Sequence, residues 1–331
     1  MKTRILEKLR NASDYMSGQA ICDELGVSRT AVWKCINQLK EEGYELEAVQ
    51  NKGYRIVNYP DILTESEIES QMSKDGIIKR IAYYPELDST NNEAKRNGEN
   101  GTEDGVLYVA ECQTGGRGRR GKGWISPAGS GIWMSALLRP NIAPQYASML
   151  TIVAAMAVVS AVNKAAVEEG ADIECVIKWP NDIVVNKKKI CGILTEMSAE
   201  MECMNFVVIG IGINVNTTDF AAEIADRASS LYAETGKHFK RSRIVALFTE
   251  SLTEYYDTFI KTCDLSRLKE AYNGMLVNRN KEVKIIERNG EYTGTATGIN
   301  DAGELNVIKE DGTSVNIVSG EVSVRGLYGY V

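Results

Sequence analysis

The first 60 positions carry two hydrophobic periods in succession. Ile5, Leu6 and Leu9 recur at helical spacing, and Ala20, Ile21 and Leu25 do so again after Ser17. The Ser17 hydroxyl suits an N-cap, and Gly26 suits the left-handed residue that ends such a helix. Ser28 opens a third helix. There Val32, Ile36 and Leu39 fall at i, i+4 and i+7 and face inward, while Arg29, Thr30, Trp33, Lys34 and Asn37 face out. Two helices joined by Gly26-Val27-Ser28 predict a helix-turn-helix. After Gly43 the period becomes that of a strand, through Tyr44 to Val49, a turn at Gln50-Asn51-Lys52-Gly53, and Tyr54-Arg55-Ile56, a hairpin of the wing type. A purely structural bundle is the competing reading. The polar outer face of the third helix and the basic wing favour DNA, with Ser28, Arg29, Thr30, Trp33, Lys34 and Asn37 as contact residues, and Pro60-Asp61 reads as a linker.

From about residue 64 to 275, strand-like runs at 106–112, 131–138, 175–178, 183–185, 190–197 and 206–215 mix with helical ones. A helix over 145–169 carries Leu150, Val153, Ala157, Val158, Ala161 and Ala165 on a wide apolar face, closed by Gly170, and reads as core. Short connections such as Asn186-Lys187-Lys188-Lys189 predict a mixed, largely antiparallel sheet rather than alternating βαβ units. From 278 to 331 five short runs, 283–286, 294–299, 305–308, 314–317 and 322–324, are separated by turns such as Arg288-Asn289-Gly290 and Asp301-Ala302-Gly303, which suits a small SH3-like β-barrel. The class is α+β, with predicted domains at 1–60, 64–275 and 276–331.

Composition refines this picture. A length of 331 residues, 44% hydrophobic and 25% charged, fits a folded chain of several domains. Net charge is -7, against a protein that coats nucleic acid, yet residues 1–59 hold 9 basic and 8 acidic side chains and are electrostatically distinct. The seven cysteines are at least 12 positions apart, which suggests neither a disulfide framework nor a zinc pair. No apolar run reaches the ~20 residues of a membrane span. A cytoplasmic protein with no membrane partner is expected.

The densest chemistry is Gly115-Gly116-Arg117-Gly118-Arg119-Arg120-Gly121-Lys122-Gly123-Trp124, with five glycines and four cations in 10 residues. Glycines let backbone approach a ligand closely, and the cations suit phosphates or a carboxylate. Gly116, Gly118 and Gly121 also satisfy a dinucleotide fingerprint, but no helix opens after them and Asn141 stands where an acidic residue belongs. A P-loop fails for want of Gly-Lys-Ser/Thr. A second group, Lys178-Trp179-Pro180-Asn181-Asp182, ends an apolar run, where Lys178 reads either as a functional cation or as a solvated strand-end lysine. Lys189 ends the next turn, and Gly210-Ile211-Gly212-Ile213-Asn214 is an apolar strand open to close approach. His238, the one histidine, reads as a surface residue, which disfavours Ser-His-Asp chemistry and His-rich metal sites.

Together Asp88-Ser89-Thr90-Asn91, Gln113, the Gly116–Gly121 loop, Lys178 to Asp182, Lys189-Ile190-Cys191-Gly192-Ile193-Leu194 and Gly210 to Asn216 resemble the biotin-protein ligases, in the bifunctional class that also represses the biotin operon. The resemblance spans nearly the whole chain. It implies that biotin and MgATP give biotinyl-5'-adenylate and pyrophosphate, and that a lysine of a biotin carboxyl carrier domain then takes the biotinyl group. Carried over by position, Lys178 and Arg119 are catalytic, and Ser89, Thr90, Asn91, Gln113, Arg117, Gly118, Arg119 and Lys178 hold biotin. Arg119, Arg120, Trp124, Lys189 and Asn214 hold the nucleotide, and Mg²⁺ rides mainly on phosphates with Asp182 as the one candidate carboxylate. The same resemblance implies an adenylate-bound homodimer on a two-fold operator. A repressor without ligase activity, a lipoate-type ligase and a ligase whose first 60 residues only stabilise the rest are the alternatives.

Overall fold

A computed structural model of the chain describes residues 1–200, 203–287, 290–319, 323–326 and 330–331. Helices α1 (Lys2–Asn11), α2 (Gly18–Leu25) and α3 (Arg29–Glu41) close over Ile5, Leu6, Ile21, Val32, Ile36 and Leu39, and the hairpin β1 (Glu45–Val49) and β2 (Gly53–Asn58) packs beside them. The expected caps are present. Ser17 Oγ accepts from the Ala20 N–H at 3.0 Å, Gly26 is left-handed at φ 66°, and Ser28 Oγ accepts from the Ala31 N–H at 3.2 Å. Gly53, at φ 116°, must be glycine, since a Cβ there would lie 2.1 Å from the Met16 carbonyl oxygen.

A short helix α4 (Glu65–Glu69) follows, and its Glu67 is 1% exposed. That carboxylate accepts from Arg10 Nη2 at 2.7 Å, Tyr44 Oη at 2.5 Å and Ser242 Oγ at 3.0 Å, so it joins the first unit to the second. The second unit is a seven-stranded sheet in the order β3-β4-β5-β9-β8-β7-β6. Its strands are β3 (Arg80–Leu87), β4 (Val106–Gln113), β5 (Gly131–Leu138), β6 (Val176–Lys178), β7 (Asp182–Val185), β8 (Lys188–Glu200) and β9 (Cys203–Asn214). Only β3 and β4 pair in parallel, with α5 (Thr90–Glu99) as their crossover, so the sheet is mixed and largely antiparallel as expected. The strand β3 was not anticipated. It sits on the sheet edge and includes Pro85 and Glu86, which break the apolar alternation.

Helices α6 (Met149–Glu168) and α8 (Arg241–Ile260) cover one face of the sheet, and α5 covers the other through Ala94 against Tyr108, Leu137 and Phe206. Contrary to the sequence expectation, the helical segment Pro144–Glu168, which contains α6, is long and apolar enough to cross a membrane, yet most of it is buried in the core, from Leu150 to Ala166. Short helices α7 (Leu231–Thr235) and α9 (Lys269–Met275) lead to the third unit, β10 (Lys281–Glu287), β11 (Gly290–Ile299), β12 (Leu305–Lys309), β13 (Ser314–Ile317) and β14 (Ser323–Gly326). These form an antiparallel sheet in the order β13-β12-β11-β10-β14 around Val283, Ile285, Ala296 and Val307. Arg288 and Asn289 of the expected turn, and Val322 of the fifth expected run, lie outside the described residues.

Candidate functional site

The floor of the site is the glycine-bearing centre of the sheet, where Gly192 of β8 faces Gly212 of β9 and Leu194 faces Gly210. A Cβ on Gly210 would lie 2.0 Å from Asn91 Oδ1, and one on Gly212 would lie 2.6 Å from Trp124 Nε1. Two side chains, one from α5 and one from the Gly/Arg segment, therefore rest directly on backbone. The Trp124 indole N–H is buried there and has no hydrogen-bond acceptor among the described residues.

The Gly/Arg segment is not an open loop but a narrow strap. The Gln113 N–H donates to Ser126 O at 3.1 Å, the Trp124 N–H to Gly116 O at 2.9 Å, and the Gly118 N–H to Lys122 O at 2.7 Å. A single 3₁₀ turn, Arg119–Gly121, makes its tip, with Arg120 in the left-handed region at φ 58°. The strap reaches both ways. Arg117 Nη2 donates to Asn92 Oδ1 at 2.7 Å and pairs with Glu196 at 3.4 Å on one side, and Arg119 Nη1 donates to Asn181 Oδ1 at 2.8 Å on the other.

At one end of the strap, Thr90 donates to Gln113 Oε1 from its N–H at 2.8 Å and its hydroxyl at 3.2 Å, and Gln113 Nε2 donates to Ser126 Oγ at 2.9 Å. Ser89 is buried at the N-terminus of α5, and its side chain makes no cap bond. Asn91 is an internal strut. Its Nδ2 donates to Glu196 at 2.8 Å and Leu194 O at 3.3 Å, and Ser135 Oγ lies 2.6 Å from its Oδ1. Burial opposes ionisation of Glu196, but the Lys95 and Asn91 hydrogen bonds outweigh it and hold the carboxyl below its usual range.

At the other end Lys178, on the last position of β6, is 5% exposed, which rules out the solvated strand-end reading. Burial pushes its ammonium down to about 8. Its Nζ lies 3.4 Å from the ring centroid of Tyr330, whose hydroxyl donates to Asp182. Lys189 Nζ lies 2.5 Å from Asp182 Oδ1 and 5.1 Å from the Trp124 ring centroid. Burial also lowers the Arg119 guanidinium, against the pull of Asp182. Asn214 is buried on β9 and donates to Ser229 O at 3.0 Å.

The strap thus brings Gln113, Arg117, Gly118, Arg119 and Trp124 across the sheet between the Ser89–Asn91 end and the Lys178/Lys189 end. Arg120 is exposed at the strap tip. Among the described residues no group of three or more His, Cys, Asp or Glu could hold a metal ion. His238 is exposed and stacks on Tyr232, its centroid 4.5 Å away. Sequence reading passed over Ser135, Glu196 and Tyr330. A lone polar residue in an otherwise apolar strand was the available signal for Ser135, and a carboxylate two positions past Leu194 was the signal for Glu196. Tyr330 had none.

The outward side chains of α3 form the second candidate surface. Trp33 is 59% exposed, Arg29, Thr30 and Lys34 are exposed, and Asn37 is half-buried. Ser28 is the exposed cap of the same helix. On the wing, Arg55 and Lys52 lie over the Tyr15 ring at 4.8 Å and 5.6 Å.

Comparison with known proteins matches residues 83–214 to the biotin/lipoate A/B protein ligase family, 2–55 to a helix-turn-helix domain, and 280–325 to the biotin protein ligase C-terminal domain. The chain is 41% identical over 295 residues to the bifunctional ligase/repressor BirA of Bacillus subtilis, covering 88% of this chain and 89% of that one. It is 30% identical over 316 residues to BirA of Escherichia coli, covering 94% of each. Among solved structures, the biotin protein ligase of Aquifex aeolicus in complex with biotin and ATP aligns with a TM-score of 0.64 at 32% identity, over 75% of this chain and 100% of that one.

Proposed function

The chain belongs to the family of bifunctional biotin ligase/repressors, and from that membership and its site we infer that it joins biotin to a lysine of a biotin carboxyl carrier domain at the expense of ATP and represses biotin-synthesis genes. A carboxylate oxygen of biotin attacks the α-phosphorus of ATP and pyrophosphate leaves. The carrier lysine amine then attacks the carbonyl carbon of biotinyl-5'-AMP, the C–O bond breaks, and AMP leaves. The adenylate is also the corepressor.

The observation that carries this reading is the cation cluster under the strap. Lys189 pairs with Asp182, Lys178 is buried against the Tyr330 ring whose hydroxyl donates to the same Asp182, and Arg119 bonds the neighbouring Asn181. Bringing a carboxylate to a phosphate sets like charges together, and fixed cations offset that in the transition state; loss of one such donor costs about 10²- to 10³-fold. Lys178 and Arg119 are the catalytic residues in this proposal. The Ser89, Thr90 and Gln113 group with Arg117 and Gly118 holds biotin, and Asn91 serves it as a strut. Arg119, Arg120, Trp124, Lys189 and Asn214 serve the nucleotide.

Asp182 already faces Lys189 and the Tyr330 hydroxyl, so the side chains form no cage for Mg²⁺, which we place on the ATP phosphates. We assign residues 1–60 to operator DNA, with Ser28, Arg29, Thr30, Trp33, Lys34 and Asn37 on its contact face, 64–275 to biotin and ATP, and 276–331 to the third domain. We place the protein in the cytoplasm, and the adenylate-bound form as a homodimer that sets two winged helices on a two-fold operator. Equal sedimentation with and without biotin and ATP would contradict that last assignment.

The direct test is incubation with biotin, MgATP and a carrier domain followed by mass measurement. The wild-type protein adds one biotinyl group, and Lys178→Ala does so about 10²-fold more slowly or worse. No mass gain with wild type defeats the enzymatic assignment, and an unimpaired variant defeats the role of Lys178.

A further inference from the structure

One buried guanidinium lies between the linker that follows the winged helix and the segments that flank the strap. Arg241 opens α8 and is 2% exposed. Its Nε donates to Asp61 Oδ2 at 2.9 Å, its Nη2 to the Asp61 carbonyl at 3.0 Å, and its own backbone N–H to Asp61 Oδ1 at 2.8 Å. Asp61 lies in the linker that leaves the winged helix. The linker is therefore anchored, and a second tether, from Lys240 Nζ to the Tyr59 carbonyl, reinforces it.

The other side of Arg241 faces the site. Its Nη1 donates to Glu111 Oε1 at 2.8 Å and to Gly131 O at 3.2 Å. Glu111 stands two residues before Gln113, and its Oε1 also accepts from the Gly129 N–H at 2.7 Å, so it holds both the entry to the strap and its exit. Asp61 Oδ2 accepts from Asn216 Nδ2 at 3.3 Å, and the Asn216 N–H donates to Ser130 O at 2.6 Å. Asn216 begins the segment that runs to Arg227 and Ser229, whose backbones bond Lys189. Linker, strap ends and the second site segment meet on one arginine and two carboxylates.

We infer that Arg241, with Asp61 and Glu111, is a positioning element that couples the ligand state of the ligase site to the orientation of the operator-binding domain. The inference rests on the ligase/repressor reading above and assigns its regulation to named residues. The physical basis is local. A buried guanidinium holding two carboxylates tolerates little change in their relative position, so a shift of the strap exit or of Asn216 when ligand closes the site is passed to Asp61 and through it to the winged helix. None of the three residues is placed against biotin or ATP.

The test uses Asp61→Asn in the full-length chain, which keeps the shape and an acceptor oxygen but removes the charge. The probe is a DNA duplex selected from a random library by the wild-type protein in the presence of biotin and ATP. The variant is expected to biotinylate a carrier domain with kcat and KM within about twofold of wild type, and to bind the duplex without ligands as wild type does, while the enhancement by biotin and ATP falls about tenfold or more. Arg241→Lys, which retains charge but not the fork, is expected to move the same ratio; should it fail to fold, Asp61→Asn decides alone. An enhancement equal to wild type overturns the inference. So does an equal loss of binding with and without ligands, which marks a merely structural role. If wild type itself shows no enhancement, the repressor reading fails instead, and the two failures are distinct.

Discussion

Lys178 should give the adenylation step an alkaline limb at an unusually low pH. Burial moves its ammonium from the ordinary lysine range to about 8, with Asp182 pulling the other way and Lys189 adding to the fall. The displacement corresponds to about 3 kcal/mol against charging Lys178 in its buried setting. The sign follows directly. The cation is present below pH about 8 and is lost as pH rises through that value, so kcat/KM for biotin should fall about tenfold per pH unit on the alkaline side. Once the biotin carboxylate and the ATP phosphates are bound, their negative charge favours the ammonium, and kcat should hold to higher pH. Pyrophosphate release, followed from about pH 6 to about pH 10 with biotin and MgATP, separates the two profiles. Lys178→Arg supplies the control, because a guanidinium stays charged throughout this range; it should be slower but without the limb. A limb that survives in Lys178→Arg, or a wild-type kcat/KM that stays flat through pH about 9, refutes the assignment.

Three further outcomes follow from named contacts. Glu196→Gln weakens the tie that holds Arg117 and Asn91, so KM for biotin should rise about fivefold with kcat nearly unchanged, and trypsin should cut the Arg117–Lys122 strap faster; unaltered cleavage counts against it. Gly212→Ala puts a Cβ 2.6 Å from Trp124 Nε1 and should lift the indole, shifting tryptophan emission to the red and weakening ATP binding about tenfold, whereas an unshifted spectrum contradicts the placement. Trp33→Ala removes a ring 59% exposed on α3, so operator affinity should drop about tenfold while Tm and carrier biotinylation stay put; a lower Tm would show that the ring serves packing instead.

Local signals made the winged helix readable from sequence. Ser17, Gly26 and Ser28 act within a turn of their own position, and Val32, Ile36 and Leu39 report their face by spacing alone. The same holds for β5, whose bounds Gly131–Leu138 coincide with the apolar run. What stayed hidden depends on distant partners. The edge strand β3 owes its existence to parallel pairing with β4 across α5, and Pro85 obscures it locally. Asn91 looked like a ligand contact, yet its amide is occupied by Leu194, Glu196 and Ser135, residues 44 to 105 positions away. The resemblance to the ligase family carried residue roles that no spacing rule could supply.

Charge explains why one pocket can serve as both reaction vessel and sensor. Lys189 pairs with Asp182, Arg119 bonds the adjacent Asn181, and Lys178 rests on the neutral face of Tyr330. Burial already depresses Lys178 and Arg119, so these cations stand desolvated. ATP and biotin bring negative charge to such cations, and biotinyl-5'-AMP retains the α-phosphate after pyrophosphate has left. The adenylate therefore compensates the cations nearest the strap even when no carrier is present to consume it. Cations that lower the barrier to acyl phosphate formation also favour retention of the adenylate, which keeps its α-phosphate beside them. In the proposed assignment, transfer of the biotinyl group to the carrier lysine leaves AMP without the contacts proposed for the biotin end. Ligation and repression, as proposed, then draw on the same adenylate in opposition.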